Sequence, residues 1–507
     1  MLNRKPAHGF FTPNSFIAMK NLLLYVGTAV AVLWAASCQR PREFSAEGEL
    51  AFSPRDSVKF DTIFSGLPSP TERLYIYNRS GKGLRIKRVY VEGGESSPFK
   101  LTLDAVAGQS HPGYELAKGD SLYAFFTFQK EVVRDEDVTD RLVVELDNAV
   151  YRIVLYARTL DARFFRFDTV PCNSVLPNDK PVVVDGPLYV PEGCTLTIPA
   201  GTRLFFTARR DNKFNFVSRL QVDGTLWVEG AKGAEVLMTN FRINERYQEL
   251  AGQWYGVIFS PTSQGNRLKH TVIKNGTIGV RVDSISTTAR AKVTLEQTDV
   301  RNMAAYCVYA VGYSPDTGRA PGVAAVNCVF SRAGESVAAL ALGGWYEFLN
   351  CTFYNDNEVS VQHGLTVVAS NAWEYNNDAG ETIRENFPLR LALLNSIVWG
   401  VKDWSFAYSV ADFDTPRPTT LLLAHNIFKA KRESSPELFD ALESAGNLMN
   451  RDPQFENVFK RDFRIRSGSP ARDAAEPLVA PFYDFNLEPR PFGPLPDIGA
   501  YEFRTSE

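Results

Sequence analysis

From Val190 onward, apolar and polar positions alternate in short bursts broken by turns. Leu196 and Ile198, Leu204 and Phe206, Leu220 and Val222, Leu226 and Val228, then Val236 and Met238 each stand two apart, and Trp254–Phe259 follows. A period of two predicts strands with one side turned to an interior. Gly193, Gly201, Gly224 and Gly230 would permit tight corners between them. A phrase then recurs: Asn327-Cys328-Val329-Phe330, Asn350-Cys351-Thr352-Phe353 and Asn395-Ser396-Ile397-Val398, with looser copies opening at His270, Gln297 and His425. From one opening position to the next the steps are 27, 30, 23, 45 and 30 residues. Such a return marks a stacked solenoid. The step of 45, from Asn350 to Asn395, fits either two coils or one coil with a long loop. Asn at a repeated corner can form an amide ladder, each side chain bonding its copy in the next coil.

Residues 51–160 read differently. Leu74–Tyr77, Leu84–Val91, Leu122–Phe128, Leu142–Leu146 and Tyr151–Tyr156 alternate between clusters such as Asn78-Arg79-Ser80-Gly81 and Asp147-Asn148. About seven short strands in this stretch predict an antiparallel sandwich. Residues 161–180, with Pro171 and Pro177, read as a linker; 181–450 hold the solenoid and 451–507 a closing segment. Aromatic content of 12% and 35 glycines suit many short strands with tight turns. A net charge of -3 argues against nucleic acid, which needs a concentrated basic surface.

Met19-Lys20-Asn21 precedes an uncharged run from Leu22 to Ala36. That run is shorter than the roughly 20 residues of a membrane span and suits a signal peptide over 1–37, with Met19 as the true start. An uncleaved membrane helix is the alternative. The run ends in Ala35-Ala36-Ser37-Cys38, which resembles the bacterial lipoprotein cleavage box. That resemblance implies a lipid on Cys38, a tether over 38–50 and an outer-membrane lipoprotein of the Bacteroidetes type. Periplasmic and surface display both stay open. Beyond Cys38, five of the six cysteines remain, an odd number that leaves at least one thiol free. Cys172 and Cys194 are the better disulfide candidates; Cys328 and Cys351, at one place in consecutive repeats, read as small buried hydrophobes.

Residues 51–160 resemble the immunoglobulin-like domain that precedes repeat regions in bacterial surface lipoproteins. Thr195-Leu196-Thr197-Ile198-Pro199-Ala200-Gly201-Thr202 is similar to the first coil of right-handed parallel β-helix proteins. Asp452-Pro453-Gln454-Phe455, Gly468-Ser469-Pro470-Ala471-Arg472-Asp473-Ala474 and Pro496-Asp497-Ile498-Gly499-Ala500-Tyr501-Glu502-Phe503 look like the closing segment of bacterial β-helix surface proteins. The resemblance covers about 181–503. It implies an all-β chain, an immunoglobulin-like sandwich followed by a pectate-lyase-like β-helix. A Pro-rich closing tail would lie over the last coil, where unpaired backbone groups invite association. Asp452, Asp473 and Asp497 could instead bind calcium, the one cofactor weighed, although they lack the dense oxygen spacing of a calcium loop.

No Gly-rich phosphate loop, His-Glu-x-x-His or Gly-x-Ser-x-Gly sequence occurs. His270 and His425 hold the corner place of Asn, and His363 lies near an insertion that interrupts the repeats over 362–390. There Trp373, Glu374 and Tyr375 stand together, followed by Glu381 and Glu385; Trp399, Asp403, Trp404, Tyr408, Asp412 and Asp414 come from the next coil. Aromatic faces stack on the C–H surface of a sugar while carboxylates accept from its hydroxyls. The competing reading is that these aromatics pack the loop onto the coil. Parallel β-helix proteins commonly act on or hold polysaccharides, which implies a lyase or a hydrolase as the enzymatic option, with Asp403, Asp412 and Asp414 as its acids. The leading expectation is a non-catalytic envelope protein that binds glycan or a protein partner. A polysaccharide lyase or glycoside hydrolase at the 362–414 face, and a spacer without ligand, are the alternatives.

Overall fold

The computed structural model describes residues 44–213, 215–244, 247–361, 364–377, 380–411 and 417–505. The chain is almost all β, with one α-helix, Pro436–Ser444, among the described residues. That helix is too short to cross a membrane. Contacts divide the chain into two compact units. The first contains 44–60, 68–131 and 137–158; the second contains 61–67, 132–136 and 159–505.

In the first unit a five-stranded antiparallel sheet runs Leu50–Ser53, Glu72–Asn78, Ser121–Phe128, Phe99–Leu103, Val106–Ala107. A seven-stranded sheet is built around Gly83–Val91 and Glu136–Glu145. Burial alternates along the strands, and Phe60, which follows a strand of the larger sheet, meets Phe99 and Phe128 of the smaller at 5.5 and 6.4 Å. The expectation of a purely antiparallel sandwich needs correcting. Phe44–Ser45 and Ser57–Lys59 join the larger sheet in parallel. Between them in sequence, Leu50–Ser53 belongs to the other sheet, so the chain arrives by crossing over instead of by a hairpin.

The second unit contains an eighteen-stranded and a nine-stranded sheet, paired in parallel. Each sequence repeat from His270 to Asn395 supplies three strands. Around Asn327, Val323–Val326 joins the nine-stranded sheet, Val329–Ala333 a first row of the larger sheet, and Ser336–Ala341 a second row. Each pairs with its counterpart from the next repeat. The stretch expected to be a linker, 161–180, is already part of this arrangement. Arg163–Thr169 pairs with Val182–Val190, and Ser174–Val175 with Leu196–Thr197. The reason is apolar content: Phe164 packs beside Phe64 and Phe205, while Val170 and Leu176 enter the main core. A disulfide joins Cys172 to Cys194; Cys307, Cys328 and Cys351 are free and buried.

The recurring phrase has a backbone cause. Its first residue turns the chain from the nine-stranded sheet into the first row, and in all six copies φ is positive: 41° at His270, 42° at Gln297, 52° at Asn327, 50° at Asn350, 51° at Asn395 and 53° at His425. Asn and His tolerate this left-handed conformation better than most residues with a side chain. The aromatic position faces inward, where Phe330 stacks on Phe353 at 5.0 Å with Phe348 edge-on at 5.3 Å. The expected amide ladder is reduced there to one bond among the described residues, from Asn395 to Asn350 at 3.3 Å. A continuous ladder stands at the other corner, between first and second rows: Asn302 donates to Asn275 and Asn275 to Asn240, each at 2.7 Å and all three buried. The step of 45 is one repeat with an insertion, because Thr352 pairs directly with Ile397.

The closing segment reaches the last strands but also extends back along earlier repeats, where the sequence suggested a cover over the last coil. Phe455, Phe463, Ile465, Ala471, Ala475, Ile498 and Ala500 cover Val329, Tyr354, Ile397 and Ile427, the outward side of the first row. Those four apolar residues need shelter from water, and the segment provides it. The corner asparagines bind its backbone: Asn327 donates to the Tyr483 carbonyl at 2.6 Å, Asn350 to that of Asp497 at 3.0 Å and Asn395 to that of Glu476 at 3.0 Å. The end of the core is closed by helix Pro436–Ser444, whose Phe439 and Leu442 pack with Leu423, Phe428 and Met449.

Candidate functional site: an aromatic hairpin

The insertion within the long repeat forms an antiparallel hairpin, Ala372–Asn376 against Thr382–Asn386. Asn377 and Glu381 close its tip by hydrogen bonds in both directions, and Gly380 supplies a left-handed φ of 81°. Its base is fixed where Phe387 N–H donates to the Asn371 carbonyl at 2.7 Å. The Asn371 and Asn386 side chains also bind Ala411 at 2.8 and 3.0 Å.

Strand alternation sorts the hairpin side chains. Trp373 pairs with Glu385 and Tyr375 with Ile383 on one face; Glu374 pairs with Arg384 on the other, bonded at 2.6 Å. The Trp373 and Tyr375 rings lie 4.5 Å apart. Tyr313, following the second-row strand Tyr306–Val311, meets Trp373 edge-on at 6.1 Å and Phe387 at 5.1 Å. Trp373 is 41% exposed and Tyr313 53%. The Oε2 atom of Glu385 is buried without a hydrogen-bond partner among the described residues. An unsatisfied carboxylate oxygen is costly to bury, and this one is closed off from solvent.

Ser370 and Ser409, beside the hairpin base, edge a shallow cleft of about 250 Å³ floored by Ala339, Val368 and Ala407, with Tyr408 in its lining. Trp373, Glu374, Tyr375 and Tyr408 therefore belong to one region. Trp399, Asp403 and Trp404 do not join them, which corrects the picture of a single 362–414 face. Trp399 lies on the outward side of the first row, packed beside the closing segment with the Lys429 ammonium 5.5 Å from its ring. Trp404 packs against the main core. Asp403 is exposed and ion-paired with Lys431 at 2.5 Å, a hydrogen bond that holds its carboxyl below the usual range, opposite to the need of a general acid. Cys38, His363, Asp412 and Asp414 lie outside the described residues. Sequence reasoning missed Tyr313, whose approach to Trp373 depends on pairing between distant repeats.

No protein-family model and no curated protein matches this chain. Solved structures that are similar over short stretches include the following two. The ASH / PapD-like domain of human CEP192 (PapD-like domain 7) is 15% identical, with 25% of this chain and 94% of that one covered at a TM-score of 0.17. A family 123 glycoside hydrolase from Clostridium perfringens, studied for glycolipid glycan hydrolysis, is 7% identical, with 23% and 30% covered at a TM-score of 0.16. Similarity at this level carries no argument about fold or activity.

The three aspartates considered for calcium serve separate hydrogen bonds. Asp452 accepts from Gln454 N–H at 2.8 Å; Asp473 accepts from Leu495 N–H at 3.4 Å. Asp497 accepts from Asp473 N–H at 2.7 Å and Phe503 N–H at 2.5 Å. Among the described residues no group of three or more His, Cys, Asp or Glu could hold a metal ion. Burial pushes the Asp497 carboxyl from 3.8 up to about 6. The folded chain thus binds this proton more tightly than the unfolded one, so Asp497 costs stability as pH rises from about 4 to about 6. Denaturant unfolding of wild type and Asp497→Asn checks this: the stability of wild type relative to the variant is expected to be greater at pH 5 than at pH 7.

Proposed function

We propose that this chain is a lipid-anchored protein of the bacterial outer membrane that holds glycan through the Trp373 hairpin without turning it over. The parallel sheets are read as a right-handed parallel β-helix and the first unit as an immunoglobulin-like sandwich. The three-strand repeat paired in register supports the first of these, and two sheets with alternating burial support the second. The leader ending in Ala35-Ala36-Ser37-Cys38 supports the anchor. A bacterial lipoprotein of the Bacteroidetes type is the corresponding family reading.

The observation that carries the binding reading is the exposed Tyr313 and Trp373 rings, grouped with the half-buried Tyr375 at the hairpin. The rings offer a stacking platform for the C–H face of a pyranose. Screening the mature chain against neutral and acidic glycans, for binding and for product release, tests it. Saturable binding that Trp373→Ala weakens about tenfold or more, a change of ~1.4 kcal/mol, without product release is the expected result. Product release in the same screen would replace the binding reading with an enzymatic one.

A further inference from the structure

A second site lies on the outward side of the nine-stranded sheet. Trp227, Arg267 and Thr294 stand in register on three consecutive strands, so they form a line across the sheet at roughly 4.8 Å per step. With Glu229, Gly265 and Arg290 they line a cleft of about 490 Å³. Trp227 is 42% exposed, and its indole N–H donates to the Gly265 carbonyl at 3.2 Å, which fixes the ring. Arg267 is held by both oxygens of Glu296 at 3.2 and 3.1 Å.

Arg290 is different. Its backbone is anchored by Ser286 and Thr288, whose hydroxyls donate to its carbonyl at 2.7 and 3.2 Å. Its guanidinium is exposed, with no ion pair among the described residues. Two residues on, Lys292 is fully buried and donates to the carbonyls of Ser260, Pro261 and Ser263 and to the Ser284 hydroxyl, at 2.7–3.1 Å. None of these acceptors is a carboxylate, and nearby Asp283 is bonded to Arg281 at 2.7 Å. On the sheet face Arg267 and Lys269 are matched by Glu229 and Glu296, Lys269 in register with both, which leaves Arg290 as the excess positive charge beside a fixed indole.

We propose that this cleft binds an acidic sugar residue, its ring on Trp227 and its anionic group on Arg290. Glu229 is placed to accept from ring hydroxyls, and Thr294 extends the line toward the next residue of a chain. The site shares no residue with the hairpin, so either can fail alone. The probes are a glucuronate tetrasaccharide, its carboxyl-reduced glucose counterpart and a sulfated tetrasaccharide, titrated into the intact protein at physiological ionic strength. Both anionic probes are expected to bind more tightly than the neutral one. Arg290→Gln is expected to lower their affinity about tenfold and leave the neutral probe unchanged. Trp227→Ala should weaken all three, Trp227→Phe should retain most affinity, and Trp373→Ala should leave the anionic preference in place. Binding of one anionic probe alone would assign the anion as carboxylate or sulfate. Equal affinity for neutral and anionic probes, unchanged affinity in Arg290→Gln, or no saturable binding of any probe would overturn the proposal.

Discussion

Arg490→Met is expected to destabilise the second unit by about 3–5 kcal/mol, by leaving an uncompensated carboxylate in its interior. Arg490 and Glu502 form an ion pair at 3.1 Å whose side chains are 1% and 0% exposed. The guanidinium also donates to the carbonyls of Asp497 and Gly499 at 2.8 Å each. Glu502 accepts from Phe492 N–H at 2.8 Å and Asp497 N–H at 3.1 Å, and its own N–H donates to Asp484. The polar letters of the closing motif are thus the internal frame of the closing segment. Methionine fills the volume of arginine but supplies no donor, so two carbonyls and a carboxylate lose partners together. Arg490→Met/Glu502→Gln is expected to recover part of the loss, because the buried charge is then gone. Denaturant midpoints check both, and limited proteolysis should cut the closing segment first in the single variant.

Gly256→Ala is expected to cost on the order of 3–5 kcal/mol, from backbone strain and overpacking together. Gly256 has φ of 138°, and a Cβ there would lie 1.6 Å from the Ile278 carbonyl oxygen. The partner strand Gly276–Val282 carries a bulge at this point: Gly256 pairs with Ile278 while Val257 pairs with Val280. The obstructing atom is backbone in a paired strand, so relief means moving a rung of the sheet. Gly233→Ala is the control. Gly233 has φ of 78° with open space around the Cβ position, and the expected cost there is about 1–2 kcal/mol. Equal losses from the two substitutions would show that the bulge is not the source of the strain.

The repeat was legible because the left-handed corner restricts residue choice. Asn and His recur where φ is positive, and the apolar residues after them recur because they face one core. The ladder at Asn240, Asn275 and Asn302 escaped notice because no common phrase surrounds those residues. The strands of 161–180 were hidden by two prolines that read as breaks. The path of the closing segment depends on contacts between residues far apart in sequence, such as Asn327 with Tyr483, which no local pattern encodes. Helix Pro436–Ser444 carried a readable signal, Ser435-Pro436 followed by Leu438, Phe439 and Leu442, but it interrupts an otherwise β pattern.

The candidate site was legible in part for a related reason. An insertion in a regular repeat marks residues with no place in the core, and Trp373, Glu374 and Tyr375 were found that way. Composition alone did not separate them from Trp399 and Trp404, since an aromatic residue serves a core and a sugar platform equally well. Register decides: Trp399 follows Tyr354 on the covered side of the first row, whereas the hairpin projects Trp373 outward.

The most direct test of the account is a calorimetric titration of the best-binding glycan from the screen into wild type and a Tyr313→Ala/Trp373→Ala variant. Removing both rings is expected to abolish measurable binding while the unfolding free energy stays within about 1 kcal/mol of wild type, since both side chains are substantially exposed. Unchanged affinity in a folded double variant would contradict the assignment of the hairpin as the glycan-binding site.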